Sequence, residues 1–410
     1  MSVAGSRKEQ YAGLFARPDV LLARERLASG GAFAPVVFPH GKFEICWTPL
    51  AKLSADPASW HDLAARTLEP NVFLEPAFAR AAAGHFGPSD LGALAVYAEE
   101  RLVGLLPGRV EGISAGRPVP VFVAWTHPFA PLSTPLIDRE IAGETVAAML
   151  ESLPKLPGAP KAVLFPLLPE ASVTARLIAL HIGVKGRSIT RYDTHARAAL
   201  MPEQDEASAM VSARKRKELR RQRRRLAESG ALAHETALAA NEVSKAVADF
   251  IAVEANSWKG RAGGAVSRDP NAAAFLAEAV IALAGEHKAR VDRLTLDGAT
   301  IAATITLFSG DYAWFWKIGY DETYARYSPG VQIAHDLTLA LEEDESLSLV
   351  DSCAVADHPM IDHLWSGRIA IADWLVPLDG SMSFAVAAAG ERARRAIIAP
   401  VKALRNRLRR

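Results

Sequence analysis

Two cysteines, Cys46 and Cys353, are all that a chain of 410 residues offers for cross-linking. They stand far apart, which argues against a disulfide framework and fits a reducing compartment, and they make no metal-ligand pattern. No apolar run is long enough to span a bilayer. The stretch from Met1 to Val20 has no apolar core followed by a cleavage site, so no signal peptide is expected. Net charge is nearly absent as well, at +1, so any surface that attracts an anionic partner must be local. These absences predict a cytoplasmic protein. What is present is ordinary for a globular chain, 50% hydrophobic and 23% charged, and long enough for two or three domains.

One stretch organises the rest, Asp311 to Leu341. Tyr312 to Trp316 is rich in residues that favour a pleated surface, and Val331, Ile333, Leu337, Leu339 and Leu341 make a mostly apolar helix. Between them lies Tyr327-Ser328-Pro329-Gly330. Ser328 is placed to cap the helix, Pro329 suits its first position, and Gly330 leaves the first turn bare. A strand that runs into such a helix start offers amide donors and a positive dipole end to an anion, a pyrophosphate or a carboxylate. An ordinary strand-to-helix turn has the same signature.

In chain order, a strand is expected at Phe43–Trp47, helices at Ala58–Leu68 and Glu75–Ala83, and a hairpin from Leu91–Tyr97 and Leu102–Arg109. Then come strand Val119–Trp125, a proline-rich loop to Asp138, helix 140–153, strand Ala162–Leu168, helix Ala171–Ile182 and a closing strand Ser188–Leu200. The second half repeats this order. Helix 206–228 leads in, followed by helices Ala240–Ser257 and Asn271–Glu286. A hairpin of Ala289–Leu296 and Ile301–Phe308 turns at Asp297-Gly298. The remainder is strand 312–318, helix 331–343, strand Leu347–Cys353, a short helix Met360–Trp365 and strand Ile369–Val376. The pattern is one α/β unit written twice, and each copy is long enough to bury its own core. The expected domains are 43–203 and 204–380, with an extension at 1–42 and a basic tail at 381–410.

Four stretches together carry a family likeness: Leu102–Pro107 with Pro131–Asp138; Ser212–Arg221 with Arg225–Gly230; Glu254-Ala-Asn-Ser-Trp-Lys-Gly260; and Lys317–Gly330. On these the chain resembles the acetyltransferases of the GNAT superfamily related to the cellulose-biosynthesis protein CelD. Those in turn are similar to the Fem-type peptidoglycan aminoacyltransferases. The resemblance implies an α/β (α+β) fold of tandem duplicated GNAT-like domains with mixed sheets. It implies transfer of an acyl group, acetyl before others, from an acyl-CoA-type donor to an amine or hydroxyl of a small-molecule or glycan acceptor in polysaccharide or cell-envelope metabolism. The superfamily's glycine-rich pyrophosphate loop is absent in its standard form; Ser328, Gly330 and Val331 stand in its place as the cofactor-binding expectation.

Acyl transfer needs a proton acceptor, a dipole for the carbonyl oxygen and a clamp for the donor. Asp351 ends a buried strand, where ligands of α/β sheets gather; it is a candidate base, or a cap of the turn that follows. His358 is a proton-shuttle candidate, or a hydrogen-bonded surface histidine. Its spacing of five from His363 does not suit one helix face, so no metal site is expected. Lys317 follows three large apolar neighbours and either grips an anion or pairs with Asp321 or Glu322. Glu254 and Trp258 lie four apart on one helical face, fit for a cationic or sugar-like acceptor or for a helix end with Trp258 in the core. Lys259, Tyr320 and Tyr324 belong to the same motifs and complete the substrate-binding expectation.

Two basic features remain. Arg214 to Arg225 holds nine basic residues in twelve, with only Leu219 and Leu226 as an apolar seam. It reads as a solvated helix or as a site for tRNA, the donor of Fem-type enzymes, although stacking aromatics are missing. In the tail, residues 390–410, Ile397, Val401, Leu404 and Leu408 fall at helical spacing among arginines, as in a helix that lies on an anionic membrane. A charged-tRNA aminoacyl transferase, and a non-catalytic polyanion- or membrane-binding module, are the alternatives to an acyl-CoA enzyme.

Overall fold

A computed structural model describes residues 35–53, 57–202, 213–257 and 265–408, with side chains to Ile398 apart from Ala213 and Ser381. Residues 1–34 of the expected extension and 206–212 of the expected helix 206–228 lie outside the described residues, as do Trp258 and Lys259.

The first half runs β1 (Val36–His40), β2 (Phe43–Pro49), α1 (Leu50–Leu53), α2 (Pro57–Ala65), α3 (Pro76–Phe86), β3 (Gly92–Ala98), β4 (Arg101–Glu111), β5 (Val121–Ala124), β6 (Leu136–Ile137), α4 (Ala142–Ser152), β7 (Ala162–Pro169), α5 (Val173–Val184) and β8 (Thr190–Leu200). The second runs α6 (Ala213–Ala227), β9 (Leu232–Ala237), α7 (Ala240–Ala255), α8 (Pro270–Gly285), β10 (Ala289–Leu296), β11 (Ala299–Ser309), β12 (Tyr312–Tyr320), α9 (Pro329–Glu342), β13 (Leu349–Asp351), β14 (Gly367–Pro377) and α10 (Ser381–Leu408). The β10–β11 hairpin turns where expected. Asp297 and Gly298 both have positive φ, 49° and 79°, as a two-residue turn matched to strand twist requires.

The chain forms two compact units. One holds the described residues up to Pro76, Gly87–Thr194 and Ala372–Arg405; the other holds Ala77–Phe86 and His195–Ile371. In the first unit the strand order is β1-β2-β3-β4-β5-β7-β14, and in the second β9-β10-β11-β12-β13-β8. The central pattern is the same. β5 is antiparallel to β4 and parallel to β7; β12 is antiparallel to β11 and parallel to β13. Strands 119–125 and 312–318 of the sequence thus hold equivalent places, and the fold is a tandem of GNAT-like α/β units with mixed sheets.

Each sheet buries apolar strand faces against amphipathic helices. In the first unit Val146, Met149 and Leu150 of α4, with Ile178 and Ile182 of α5, pack on Leu94, Val96, Phe122 and Phe165. α4 comes so close to β4 that a Cβ on Gly104 would stand 2.6 Å from a Met149 methyl. In the second unit Leu337 and Leu341 of α9 pack with Leu219 of α6, Phe315 and Trp365. The other side of that sheet is closed by aromatics. Phe78 of α3 meets Phe275 edge-on at 5.3 Å and Trp316 at 5.6 Å. A helix encoded in the first half thereby completes the core of the second unit. Likewise Ala199 and Leu200 of β8, the expected closing strand of the first half, pair with Asp351 and Val350 of β13.

Candidate active site

β12 is nine residues long, but its parallel pairing with β13 covers only Tyr312 to Trp314, opposite Leu349 to Asp351. Beyond that point β12 continues to Tyr320 with no strand partner on the β13 side among the described residues. Its ladder with β11 is shifted at the same place: Ile305 faces Lys317 and the next residue, Thr306, faces Phe315, so Trp316 is the extra residue of a bulge. A bulge bends and twists the strand that carries it. The two parallel strands therefore part at Trp314, an opening in the strand pairing past which β12 runs on over residues 315–320.

Two faces of β12 meet this opening. Ile318 and Tyr320 turn toward α9 and join the cluster of Leu226 and Ile333. Gly319 turns the other way, where an added Cβ would stand 3.3 Å from Glu254 of α7. Lys317, two residues earlier, shares that second face by strand alternation. Its Nζ lies 5.3 Å from the centre of the Trp316 ring, and its charge is felt at Cys353. Arg197 of β8 donates from Nη1 to Asp351 Oδ2 at 2.8 Å, and the Cys353 amide donates to Asp351 Oδ1 at 2.8 Å. Arg197, Asp351, Cys353 and Lys317 thus form one cluster at the end of β13.

The electrostatics follow from burial. Both side chains of the Arg197–Asp351 pair are more than nine-tenths buried. Burial works to lower the Arg197 pKa, but the Asp351 carboxylate outweighs it and leaves the guanidinium above its usual value. Burial pushes the Cys353 thiol well above the ordinary range, and the Asp351 charge adds to the effect, so this cysteine stays protonated.

On the α9 face, the helix start departs from the expected cap. Ser328 occupies the N-cap position in the left-handed region (φ 53°, ψ 47°), with no side-chain cap hydrogen bond. Its carbonyl accepts the amides of Val331 and Gln332 at 3.0 and 3.1 Å. The Val331 N–H is therefore already used within the turn. Gly330 lets the helix start pack closely on β12, since a Cβ there would stand 3.0 Å from the Tyr320 ring. The first turn of α9 carries no acidic residue. At the equivalent approach to α4, buried Asp138 accepts the Glu140 amide and pairs with Arg66, and Glu144 lies in the first turn.

The substrate-binding expectation separates. Glu254 is 2% exposed and its carboxylate accepts the Val266 amide at 2.9 Å, which pins the chain after α7. Tyr320 and Tyr324 pack beside Leu226 and Ile333 on the α9 face, opposite Glu254. His358 accepts the amides of Met360 and Ile361 through Nδ1, the bond of a turn cap. Arg197 is not among the expected site residues, although a charge inside the apolar run Ala196 to Leu200 announces a buried partner. On α6, Leu219 and Leu226 are buried and Arg223 pairs with Asp336 of α9 at 2.6 Å. Arg214, Lys215, Lys217, Arg220, Arg221, Arg224 and Arg225 are exposed.

Comparison with known proteins bears first on the second unit. Residues 213–358, which hold the split strands and α9, match the family described as acetyltransferase (GNAT) domain. The chain superposes on the crystal structure of FemX with a TM-score of 0.52 at 9% identity, over 78% of this chain and 96% of that one. It superposes on the C-terminal domain of a putative lysylphosphatidylglycerol synthetase from Agrobacterium fabrum with a TM-score of 0.52 at 13% identity, over 84% and 96%. A conserved protein of unknown function from Bacteroides thetaiotaomicron gives 0.50 at 8%, over 79% and 97%. At these identities the likeness is one of fold. No curated protein matches the sequence.

Proposed function

We propose that the second unit transfers an acyl group from an acyl-CoA-type donor to an amine or hydroxyl acceptor. The separation of β12 from β13 at Trp314, inside the stretch that matches a GNAT domain, carries this reading. An extended donor arm runs along β12 past the end of its pairing with β13, with its pyrophosphate toward the start of α9. The carbonyl then sits at the opening, and the acceptor approaches from the face of Lys317 and Asp351. There Asp351 accepts the acceptor's proton; each of its oxygens keeps a second lone pair beyond the donors that fix it. Lys317 holds an anionic group of the substrate. The sequence likeness to CelD-related acetyltransferases supports a glycan or cell-envelope acceptor, met in the cytoplasm.

Titration of the full chain with acetyl-CoA by calorimetry tests this. Ser328→Asp puts into α9 the carboxylate that Asp138 supplies ahead of α4, and should weaken binding by about fivefold through charge at a helix start. Absence of binding by acetyl-CoA and longer acyl-CoAs, or an affinity unmoved by Ser328→Asp, sinks the donor assignment. The exposed basic face of α6 favours a second reading, aminoacyl transfer from charged tRNA. Binding of tRNA in place of acyl-CoA would select it.

A further inference from the structure

α10 docks by one side only. Ala387 and Ala388 pack with Val121, Leu164 and Leu375. Tyr192 donates its hydroxyl to the Ala388 carbonyl at 3.0 Å, and Gly390 passes so close to Pro118 that a Cβ would come within 2.4 Å. The opposite side is apolar and uncovered among the described residues. Met382, Val386, Ala389, Ala393 and Ile397 recur every three or four residues, the spacing of one helical stripe. Met382 is 79% exposed and Ile397 71%.

The charges beside this stripe have one sign. From Gly390 to Arg410 the sequence has eight basic residues and one acid, Glu391. Glu391 is 2% exposed and bound to Arg117, Arg394 and Arg395, so it offers no negative charge to the outside. We propose that the outer face of α10 lies on an anionic phospholipid surface, its apolar stripe in the headgroup boundary and its arginines on lipid phosphates. An RNA partner would leave the apolar stripe unexplained. A second copy of the chain would bring two helices of like charge together. The inference is independent of the donor and acceptor of the second unit.

Sedimentation of the full chain with vesicles tests it. The protein should sediment with phosphatidylcholine vesicles that contain phosphatidylglycerol, not with phosphatidylcholine alone, and added salt should release it. The double variant Val386→Asp, Ile397→Asp changes exposed positions, and its bound fraction should fall at least about tenfold at an unchanged unfolding temperature. Arg392→Glu repeats the test through charge alone. Wild-type protein left in the supernatant with anionic vesicles overturns the proposal, and so does equal sedimentation of the variants. A dimer in gel filtration that the double variant dissolves also overturns it, because a second copy then covers the stripe.

Discussion

Replacing Glu391 by Gln should remove most of the acid sensitivity of the α10 docking. The Glu391 carboxylate is buried and takes hydrogen bonds from Arg394 at 2.8 and 3.0 Å and from Arg395 at 2.6 Å, with Arg117 on its other side. Burial alone would raise its pKa; the three guanidiniums overcome that and hold it down from 4.5 to about 2. Each tenfold drop in proton affinity corresponds to about 1.4 kcal/mol, so the ionised group contributes about 3 kcal/mol relative to the unfolded chain, of which the docked state draws the part that comes from Arg117, since Arg394 and Arg395 belong to α10 itself. Because the folded value is the lower one, that contribution is complete above pH 4.5 and is lost as pH falls toward 2. Hydrogen exchange at the Ala387 and Ala388 amides reports the docking without requiring two-state unfolding of a two-unit chain. Wild-type protection should fall steeply through this window. Glu391→Gln should start lower at neutral pH, by at most about 3 kcal/mol, with Arg117 left buried beside a neutral group, and converge with wild type near pH 2. A constant offset between the two proteins at every pH would show that the carboxylate's charge is not what holds the helix.

Phe78→Ala empties the space between Phe275 and Trp316 and should destabilise the second unit by about 3–5 kcal/mol, read by chemical unfolding. Gly330→Val drives a branched side chain against the Tyr320 ring and should cost about 1–3 kcal/mol, relieved when Tyr320 is shortened to Ala. Asp351→Asn should fold, bind donor and turn over about 100- to 10,000-fold more slowly; full activity would make Asp351 a structural partner of Arg197 only. If α6 carries RNA, affinity should fall steeply with salt, and replacing exposed Arg220 and Arg224 should flatten the slope by about two.

The long elements are legible because their periodicities are strong. The hairpins, β12, α8 and α9 fall within a few residues of their expected limits. β9 is not, because Leu-Ala-His-Glu-Thr-Ala has no apolar alternation; it lies at the end of the strand order, where a strand needs little burial. Chain order does not reveal that α3 serves the second core, or that Ala199 and Leu200 pair with β13, since both depend on contacts across about 150 residues or more. The site is half legible. Asp351 and Lys317 share the face that the strand pattern implies, whereas the bond from the Val266 amide to Glu254 is one to backbone that no side-chain spacing announces. The cap at Ser328 does not form because its left-handed backbone turns the hydroxyl away from the amides it was expected to receive.

The two units differ at one place, the helix start that follows the parallel strand pair. Both place a parallel strand pair ahead of a helix start. In the first, β5 stops at Ala124, and Asp138, held by Arg66, fills the approach to α4 with a carboxylate that already accepts an amide. An incoming phosphate would meet like charge and a donor that is taken. In the second, β12 outlasts its partner by the residues 315–320, and the first turn of α9 has no acid. The same duplication thus gives one helix start that supplies its own anion and one that lacks it. If the first unit were an equal donor site, exchanging Asp138 for Ser would create or strengthen acyl-CoA binding there; loss of stability with no gain in binding, because Arg66 loses its buried partner, is the expected result.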